Sequence, residues 1–275
     1  MSARAAPAPA AAAPEPLLQR VHAGVLHLTL NRPAQYNALS EELLAALRAA
    51  LRAAATDARV RVVVLAGAGK AFCAGHDLRQ MRAKAAPEYF RSLFADCSRL
   101  MQEIRQLPQP VVARVHGVAA AAGCQLVAAC DLAVAAASAR FATSGINIGL
   151  FCATPAVPLS RAIGQKQAFE MLFTGEDIDA AQACAQGLVN RAVPDDELDA
   201  AVADLAARLA AKPPQVVAAG KALFYRQREM GVSAAYQLAV QAMACNLQDA
   251  DTLEGIAAFL EKRQPQWAAG ASAAD

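Results

Sequence analysis

Two short segments of this sequence place small residues where an apolar, strand-like run gives way to a helical one. The first is GKAFCAGHDL at residues 69–78, and the second is HGVAAAAGCQL at residues 116–126. Small residues let the backbone approach a ligand closely, and the free amide groups at a helix start point outward with the positive end of the dipole. Either segment alone is better explained by tight strand-to-helix packing, but the pair predicts two amides able to hold one oxyanion.

The elements that would position these segments alternate between strands and helices. A hairpin is expected at residues 18–30, because the strand-like run there is split by Ala23-Gly24. A helix is expected after Ser40, an N-cap residue followed by two glutamates and a leucine stripe. Further strands are expected at 60–67, 111–115 and 131–135, and helices at 88–106 and 121–129. This alternation predicts an α/β fold whose sheets contain parallel pairs.

The pattern changes after Pro194, where the strand-like runs stop. Residues 195–263 read as helices that are broken near Pro213-Pro214, Gly231 and Asp249. Such a change of pattern predicts a separate helical subdomain at the C-terminal end.

Composition excludes several classes of protein. The 275 residues are 56% hydrophobic with a formal net charge of +2 and dispersed Lys and Arg, so neither nucleic acid nor a membrane surface is an expected partner. The longest apolar stretch, residues 117–130, is interrupted by Gln125 and is too short to span a bilayer.

Seven cysteines without a CxxC pair indicate a reducing compartment, which favours the cytoplasm and leaves the mitochondrial matrix open. Residues 1–16, almost all Ala and Pro, and residues 268–275 are expected to be disordered tails.

Four segments resemble the crotonase family, also called the enoyl-CoA hydratase/isomerase family, over residues 17–267. They are LNRPAQYNALS, VRVVVLAGAGKAFCAGHDL, HGVAAAAGCQLVAACDLAVA and EGIAAFLEKRQPQW. Four others, GHDL, AAAAGCQLVA, FATSGINIGLFCATP and MLFTGE, resemble one branch of that family. The resemblance implies an α/β crotonase (ClpP/crotonase-like) fold, with a spiral core of repeated ββα units over residues 17–195 and a C-terminal helical oligomerisation subdomain over residues 196–267. It also implies a homo-oligomer, either a trimer or a hexamer of paired trimers.

The same resemblance implies that the ligand is an acyl-CoA thioester whose carbonyl lies in a backbone oxyanion hole. The two amides would be those of His76 and Ala122, which follow the small residues Gly75 and Ala121. Two amides at the carbonyl oxygen would favour an enolate-like transition state. Coenzyme A is part of the substrate in this reading, and no separate cofactor is expected.

The resemblance also assigns contacts with coenzyme A. Ala38, Ala74 and Leu78 would line the groove for its adenine and pantetheine parts, although apolar core packing is equally compatible with these residue types. Phe259 and Lys262 would approach coenzyme A bound to a neighbouring subunit, since a Lys ammonium suits a phosphate. A solvated helix end is nearly as good an explanation for these two residues.

The chain departs from the family at both acid/base positions. Where family hydratases carry two Glu residues, this sequence has Gln125 and Gly145. A neutral amide does not shuttle protons at ordinary pH, and glycine has no side chain. Because each acid/base group contributes roughly two to four orders of magnitude in rate, the sequence predicts a poor hydratase even with an intact oxyanion hole.

Other residues near these motifs could supply the missing chemistry. His76 is the best candidate, because an imidazole ordinarily titrates near neutrality, but local packing is as good an explanation. Asn147 could bind a polar acyl group or stabilise its loop. Cys152 could act as a nucleophile, although a packing role is favoured. Asp77 is more consistent with a helix cap. The histidines lack metal-ligand spacing, so no metal is expected.

Two functions therefore remain open from the sequence. The first is an enzyme that stabilises a thioester enolate or a tetrahedral adduct, leading to hydration, a double-bond shift, decarboxylation or thioester hydrolysis. The second is a non-catalytic acyl-CoA binding protein. Gln125 and Gly145 favour the second function, whereas His76 favours the first.

Overall fold

Two β-sheets form the centre of the structure, a computed structural model that describes residues 15–267. The larger sheet has six strands in the spatial order β1-β2-β3-β4-β6-β9: β1 (Leu17–His22), β2 (Val25–Leu30), β3 (Val62–Gly67), β4 (Val111–Val115), β6 (Leu132–Ala136) and β9 (Arg191–Val193). The smaller sheet has the order β5 (Val118–Ala120), β7 (Arg140–Ala142) and β8 (Asp177–Asp179). The β1–β2 hairpin is antiparallel, and the other neighbours in the large sheet run parallel.

Eleven α-helices surround and extend these sheets within the described residues. In chain order they are α1 (Glu41–Thr56), α2 (Leu78–Ala83), α3 (Pro87–Gln106), α4 (Ala122–Ala129), α5 (Ala153–Ala162), α6 (Gln165–Thr174), α7 (Ala180–Gln186), α8 (Leu198–Ala210), α9 (Pro214–Gln227), α10 (Val232–Asn246) and α11 (Ala250–Glu261). Helix α1 begins as the sequence predicts, because the Ser40 side chain accepts a hydrogen bond from the Leu43 amide.

The large sheet is buried on both faces, which explains why its central strands are continuous apolar runs. Val63 and Leu65 of β3 face a core built with α1, α3 and α4, whereas Val62 and Val64 face α8. Successive side chains of a strand point to opposite faces. The sheet therefore forms a rigid layer whose strand ends can hold a site.

Repetition of one motif brings the strand ends together. β4 continues into β5 and then α4, and β6 continues into β7, so the chain passes twice from the large sheet to the small one. After β3, the corresponding second strand is reduced to a single parallel bridge between Cys73 and Ala119 of β5. The predicted α/β crotonase spiral of ββα units is confirmed by this arrangement.

The predicted boundaries hold to within one or two residues for the longer elements, including the helices after Pro194. Glu15 and Pro16 differ from the prediction of a tail over residues 1–16, because their carbonyls accept hydrogen bonds from Asn31. Residues 1–14 and 268–275 lie outside the described residues, so the rest of the tail prediction falls there.

The C-terminal helices project large apolar side chains outward. On α10, its C-cap residue Leu247 and α11 these include Tyr236, Val240, Met243, Leu247, Leu253 and Phe259, all more than half exposed. Between residues 15 and 267, no helix is both long enough and apolar enough to cross a membrane. Among the described residues of one chain, no other element covers these apolar faces of α10 and α11.

Candidate active site

The two glycine- and alanine-rich loops meet at the edge of the small sheet. The Cys73 amide donates to Val118 O at 3.1 Å, and the Ala120 amide donates to Cys73 O at 2.9 Å. A third segment joins them, because the Leu39 amide donates to Gly75 O at 2.7 Å. The single bridge at Cys73 thus aligns residues 73–77 alongside the start of α4.

Two backbone amides face this junction without partners. Across residues 15–267, neither the His76 nor the Ala122 amide donates a hydrogen bond. Gly75 precedes His76 with φ +96°, and a Cβ placed on it would come within 3.0 Å of Ala121 Cβ, 3.1 Å of Ala120 O and 3.3 Å of the Ala122 nitrogen. The absence of a side chain at Gly75 therefore lets the first loop approach the start of α4 closely. The structure brings together the two groups that the sequence predicts for an oxyanion hole.

A strained turn precedes the second amide. Ala121 has φ 48° and ψ −114°, a conformation that residues with a Cβ rarely adopt. Its amide is fixed to Ala142 O at 2.8 Å, and its carbonyl accepts from the Gln125 amide at 3.0 Å. The turn orients the first free amide of α4 toward Gly75, and backbone strain of this kind often accompanies functional sites.

Replacing Ala121 with glycine is expected to stabilise the protein by about 1 kcal/mol. Relief of a strained backbone contributes about 1–3 kcal/mol, and the added flexibility of the unfolded chain offsets about 0.4–1 kcal/mol of it. Chemical denaturation of Ala121→Gly measures this change. The matched control is Ala120→Gly in β5, where φ is ordinary, so stability should fall. A loss of stability in Ala121→Gly equal to that in the control would show that Ala121 is unstrained.

Gln125 projects from α4 one turn after Ala122 and is buried. Its Oε1 atom accepts from Thr154 Oγ1 at 3.4 Å and lies 3.9 Å from the Cys97 thiol. Burial raises the pKa of Cys97 to about 12, so this thiol stays protonated and can act as a weak donor. Cys97 and Thr154 were not predicted as site residues: Cys97 is a buried residue of α3, and Thr154 lies in the segment FATSGINIGLFCATP, where Gly145, Asn147 and Cys152 were considered instead.

Gly145 has no room for a side chain. A Cβ at this position would lie 2.4 Å from Leu150 O and 2.8 Å from Cys152 Sγ. Cys152 is buried, and burial raises the pKa of its thiol while the Gly145 amide partly opposes that shift. The sulfur of Cys152 therefore occupies the space beside Gly145, and its raised pKa argues against a ready thiolate nucleophile.

The His76 side chain is poorly solvated. Its ring meets Phe94 of α3 edge-on, with centroids 5.3 Å apart. Burial lowers the pKa of His76 to about 4. The expectation of an imidazole that titrates near neutrality is therefore wrong, because desolvation disfavours the imidazolium. The neighbouring Asp77 caps α2 and forms an ion pair with Arg32 at 2.9 Å, which confirms its predicted capping role.

The other predicted site residues lie in different surroundings. Asn147 is exposed and donates to Gly175 O at 3.3 Å, so its side-chain amide stabilises the loop. Ala38 is buried, whereas Ala74 and Leu78 are exposed beside it. Phe259 is 83% exposed on α11, and among the described residues neither it nor Lys262 has a side-chain hydrogen bond to the two loops. The described residues contain no group of three side chains suited to a metal ion.

Known proteins share this fold and sequence. Residues 20–270 match the family model described as enoyl-CoA hydratase/isomerase. The "Enoyl-CoA hydratase domain-containing protein 3, mitochondrial" of Rattus norvegicus is 44% identical over 261 residues, covering 94% of this chain and 87% of that protein. The "2,3-dehydroadipyl-CoA hydratase" of Escherichia coli (strain K12) is 35% identical, covering 88% of this chain and 94% of that protein.

Solved structures of known proteins are also similar to this chain in fold and sequence. A crystal structure of an enoyl-CoA hydratase from Mycobacterium smegmatis has a TM-score of 0.90 and 57% identity, covering 92% of this chain and 98% of that one. The crystal structure of human enoyl-CoA hydratase domain-containing protein 3 has a TM-score of 0.90 and 42% identity, covering 92% of this chain and 100% of that one. The branch that the sequence segments resemble is the branch of this human protein, and that prediction is confirmed.

Proposed function

Because this chain belongs to the enoyl-CoA hydratase/isomerase family, we propose that it binds an acyl-CoA thioester and stabilises the thioester enolate at the amides of His76 and Ala122. The observation that carries the proposal is the pair of unpartnered amides, one in each of the two loops that meet at Gly75 and Ala122. When the α- or β-carbon of an acyl thioester reacts, negative charge develops on the carbonyl oxygen. Preorganised amides stabilise that charge by about 3 kcal/mol each, by analogy with other oxyanion holes.

Proton transfer at this site is expected to be inefficient. Gln125 presents a neutral amide bonded to Thr154, and Gly145 is packed against Cys152 and Leu150. The His76 imidazole, with a pKa of about 4, is a weak base. We therefore propose a hydratase- or isomerase-like protein that hydrates simple enoyl-CoA thioesters slowly.

Two further functions fit the same amides. A non-catalytic acyl-CoA binding protein is favoured by the packing at Gly145, because that packing leaves no space for a second acid/base side chain. Decarboxylation of an acyl-CoA that carries a carboxylate on its α-carbon breaks the C–C bond to release CO2 and leaves a thioester enolate, which water then protonates. The oxyanion hole would stabilise that enolate, and no base is needed to abstract a proton. A thioesterase would need an activated nucleophile, and the raised pKa of Cys152 disfavours one.

The proposal also includes the contacts with coenzyme A and the formation of a homo-oligomer. Ala74 and Leu78 belong to the first loop, and Ala38 precedes Leu39, which is hydrogen-bonded to that loop; these three residues would contact the adenine and pantetheine parts. A homo-oligomer, a trimer or hexamer, would cover the apolar faces of α10 and α11 and would bring Phe259 and Lys262 to a neighbouring ligand. A reducing compartment, either the cytoplasm or the mitochondrial matrix, suits the seven cysteines.

Calorimetry with crotonyl-CoA and with free coenzyme A tests the binding proposal, and mass spectrometry of the mixture detects any product. We expect crotonyl-CoA to bind in roughly the micromolar range typical of such substrates and more tightly than free coenzyme A. Gly75→Ala should weaken crotonyl-CoA binding at least about tenfold, because the methyl group would come within 3.3 Å of the Ala122 nitrogen.

Gly187→Ala is the matched control, since Gly187 also has a positive φ of +88° but its Cβ would come no closer than 3.6 Å to other atoms. A crotonyl-CoA affinity equal to that of free coenzyme A would contradict the proposal. So would equal losses in Gly75→Ala and Gly187→Ala, because the effect would then come from backbone strain alone.

A further inference from the structure

A cavity of about 460 Å³ is bounded by α3, α4, α5 and α9. Its volume lies in the range of roughly 300–1,000 Å³ that small-molecule sites in proteins occupy. Apolar side chains, among them Met101, Ala128 and Leu188, form much of its wall, and Gln125 lines it as well. Because Gln125 projects from α4 one turn after Ala122, the cavity adjoins the candidate active site.

Three arginines from separate helices line this cavity. Arg105 stands in the last turn of α3, Arg161 in the last turn of α5, and Arg228 is the C-cap of α9. An arginine at a helix end is common, because a cation is favourable there, but these three meet at one cavity. A guanidinium group is always charged and presents a fork of N–H groups that matches a carboxylate. The cavity therefore combines apolar walls with positive charge.

Acidic side chains neutralise little of this charge. Arg105 pairs with Glu229 at 3.2 Å, but the Glu229 side chain is 67% exposed, and such surface pairs are weak. Asp131 is the acidic residue in the described part of the cavity wall. Its two carboxylate oxygens already accept from Lys221 and Tyr225. The protein itself thus supplies no strong anionic partner for the three arginines.

Arg161 and Arg228 are held in place by neutral groups. Arg228 Nη2 donates to Arg161 O at 2.9 Å, and its guanidinium lies 5.5 Å from the centroid of the Phe224 ring. Arg161 Nη1 donates to Val157 O at 2.9 Å. Neither arginine forms an ion pair within residues 15–267. Both are exposed to solvent, so an anion can reach them, and each has further N–H groups with which to bind it.

We propose that this cavity binds a carboxylate carried at the end of a short apolar chain, with Arg161 and Arg228 holding the carboxylate and the apolar wall covering the chain. One source of that carboxylate is the far end of the acyl chain of a bound thioester, because Gln125 lines the cavity. This form of the inference rests on the proposed acyl-CoA function. The other source is a free carboxylic acid, and the experiment separates the two.

Calorimetry on the full chain compares three pairs of thioesters: butyryl-CoA with succinyl-CoA, hexanoyl-CoA with adipyl-CoA, and octanoyl-CoA with suberyl-CoA. Within each pair a carboxylate replaces the terminal methyl group. We expect the acid of at least one pair to bind on the order of tenfold more tightly than its alkyl partner, because hydrogen bonds to charged groups are strong. Free suberate, titrated alone, tests the second source.

The double variant Arg161→Gln, Arg228→Gln assigns the preference to the two guanidinium groups. Its ratio of acid to alkyl affinity should fall to about one or below, whereas its affinity for the alkyl thioesters should stay unchanged, which shows that the variant is folded. Arg226→Gln is the matched control, because Arg226 is an exposed arginine of α9 that does not line the cavity. The control should keep the ratio of the unmodified protein.

Several outcomes overturn the inference. If no pair shows a preference for the acid and free suberate does not bind, the cavity takes no carboxylate, while binding of the alkyl thioesters leaves the proposed function in place. A preference that survives in the double variant, or that falls equally in Arg226→Gln, also refutes the role of these arginines. If suberate binds only when the two arginines are present and no thioester binds, the proposed function fails, whereas the cavity keeps its ligand as a free acid.

Discussion

Gln125→Glu is expected to raise the rate of crotonyl-CoA hydration by about two to four orders of magnitude, the usual contribution of one acid/base group. The new carboxyl group would replace an amide that projects from α4 one turn after Ala122. Thr154 Oγ1, at 3.4 Å from Oε1, and the Cys97 thiol, at 3.9 Å, already surround that position and can donate to a carboxylate. Loss of the ultraviolet absorbance of the conjugated thioester measures the rate.

Gln182→Glu serves as the control, because it makes the same chemical change in the capping box of α7, where Glu is well tolerated. The control should hydrate crotonyl-CoA at the unmodified rate. If the unmodified protein already turns over at the rate of a two-carboxylate hydratase, or if Gln125→Glu has no effect although it binds crotonyl-CoA normally, the acid/base position has been assigned to the wrong residue.

A second carboxylate cannot be restored in the same way. The Cβ of any residue at position 145 would lie 2.4 Å from a backbone oxygen, that of Leu150, which no side-chain rotation can relieve. Adding Gly145→Glu to Gln125→Glu should therefore lower stability without a further gain in rate. The chain therefore differs from a hydratase in more than its two missing glutamates, because the loop around Gly145 leaves no space for a side chain.

The sequence was sufficient to predict the β1–β2 hairpin, the strands β3, β4 and β6, the helices α1, α3 and α4 and the helices after Pro194, but not α5, α6 or α7; it also indicated the two amides, whose role stays a prediction. Continuous valine runs marked β3 and β4, and small residues after them marked the two loops. The strands β5, β7, β8 and β9 were missed, because three residues are too few to show a periodic pattern. Their positions depend on pairing between distant segments.

The chemical state of the site also depends on distant contacts. The low pKa of His76 follows from burial against Phe94, which lies on another element. The packing of Cys152 against Gly145 and the bond from Asn147 to Gly175 likewise join segments that sequence periodicity does not relate. Residue types therefore indicated the candidates, whereas only the fold decided which of them face the amides.

A buried ion pair joins the C-terminal helices to the core. Lys221 of α9 donates to Asp131 Oδ2 at 2.6 Å and to the carbonyls of Ile104 and Gln109. Tyr225, one turn later, donates to Asp131 Oδ1 at 2.8 Å. The Lys221 side chain is only 7% exposed. Burial lowers the pKa of Lys221, and the Asp131 carboxylate opposes that shift.

Asp131→Asn is expected to lower the free energy of unfolding by about 3–5 kcal/mol, because it leaves a buried ammonium without a charged partner. The double variant Asp131→Asn, Lys221→Met should lose less stability than Asp131→Asn alone, since no buried charge then remains.

Asp199→Asn is the control, because Asp199 pairs with Arg114 at an exposed position and its replacement should cost no more than about 1 kcal/mol. Urea denaturation measures all three variants. If Asp131→Asn costs no more than the control, Lys221 does not depend on this carboxylate. If it costs the expected amount, the Asp131 carboxylate is the group that compensates the buried charge of Lys221.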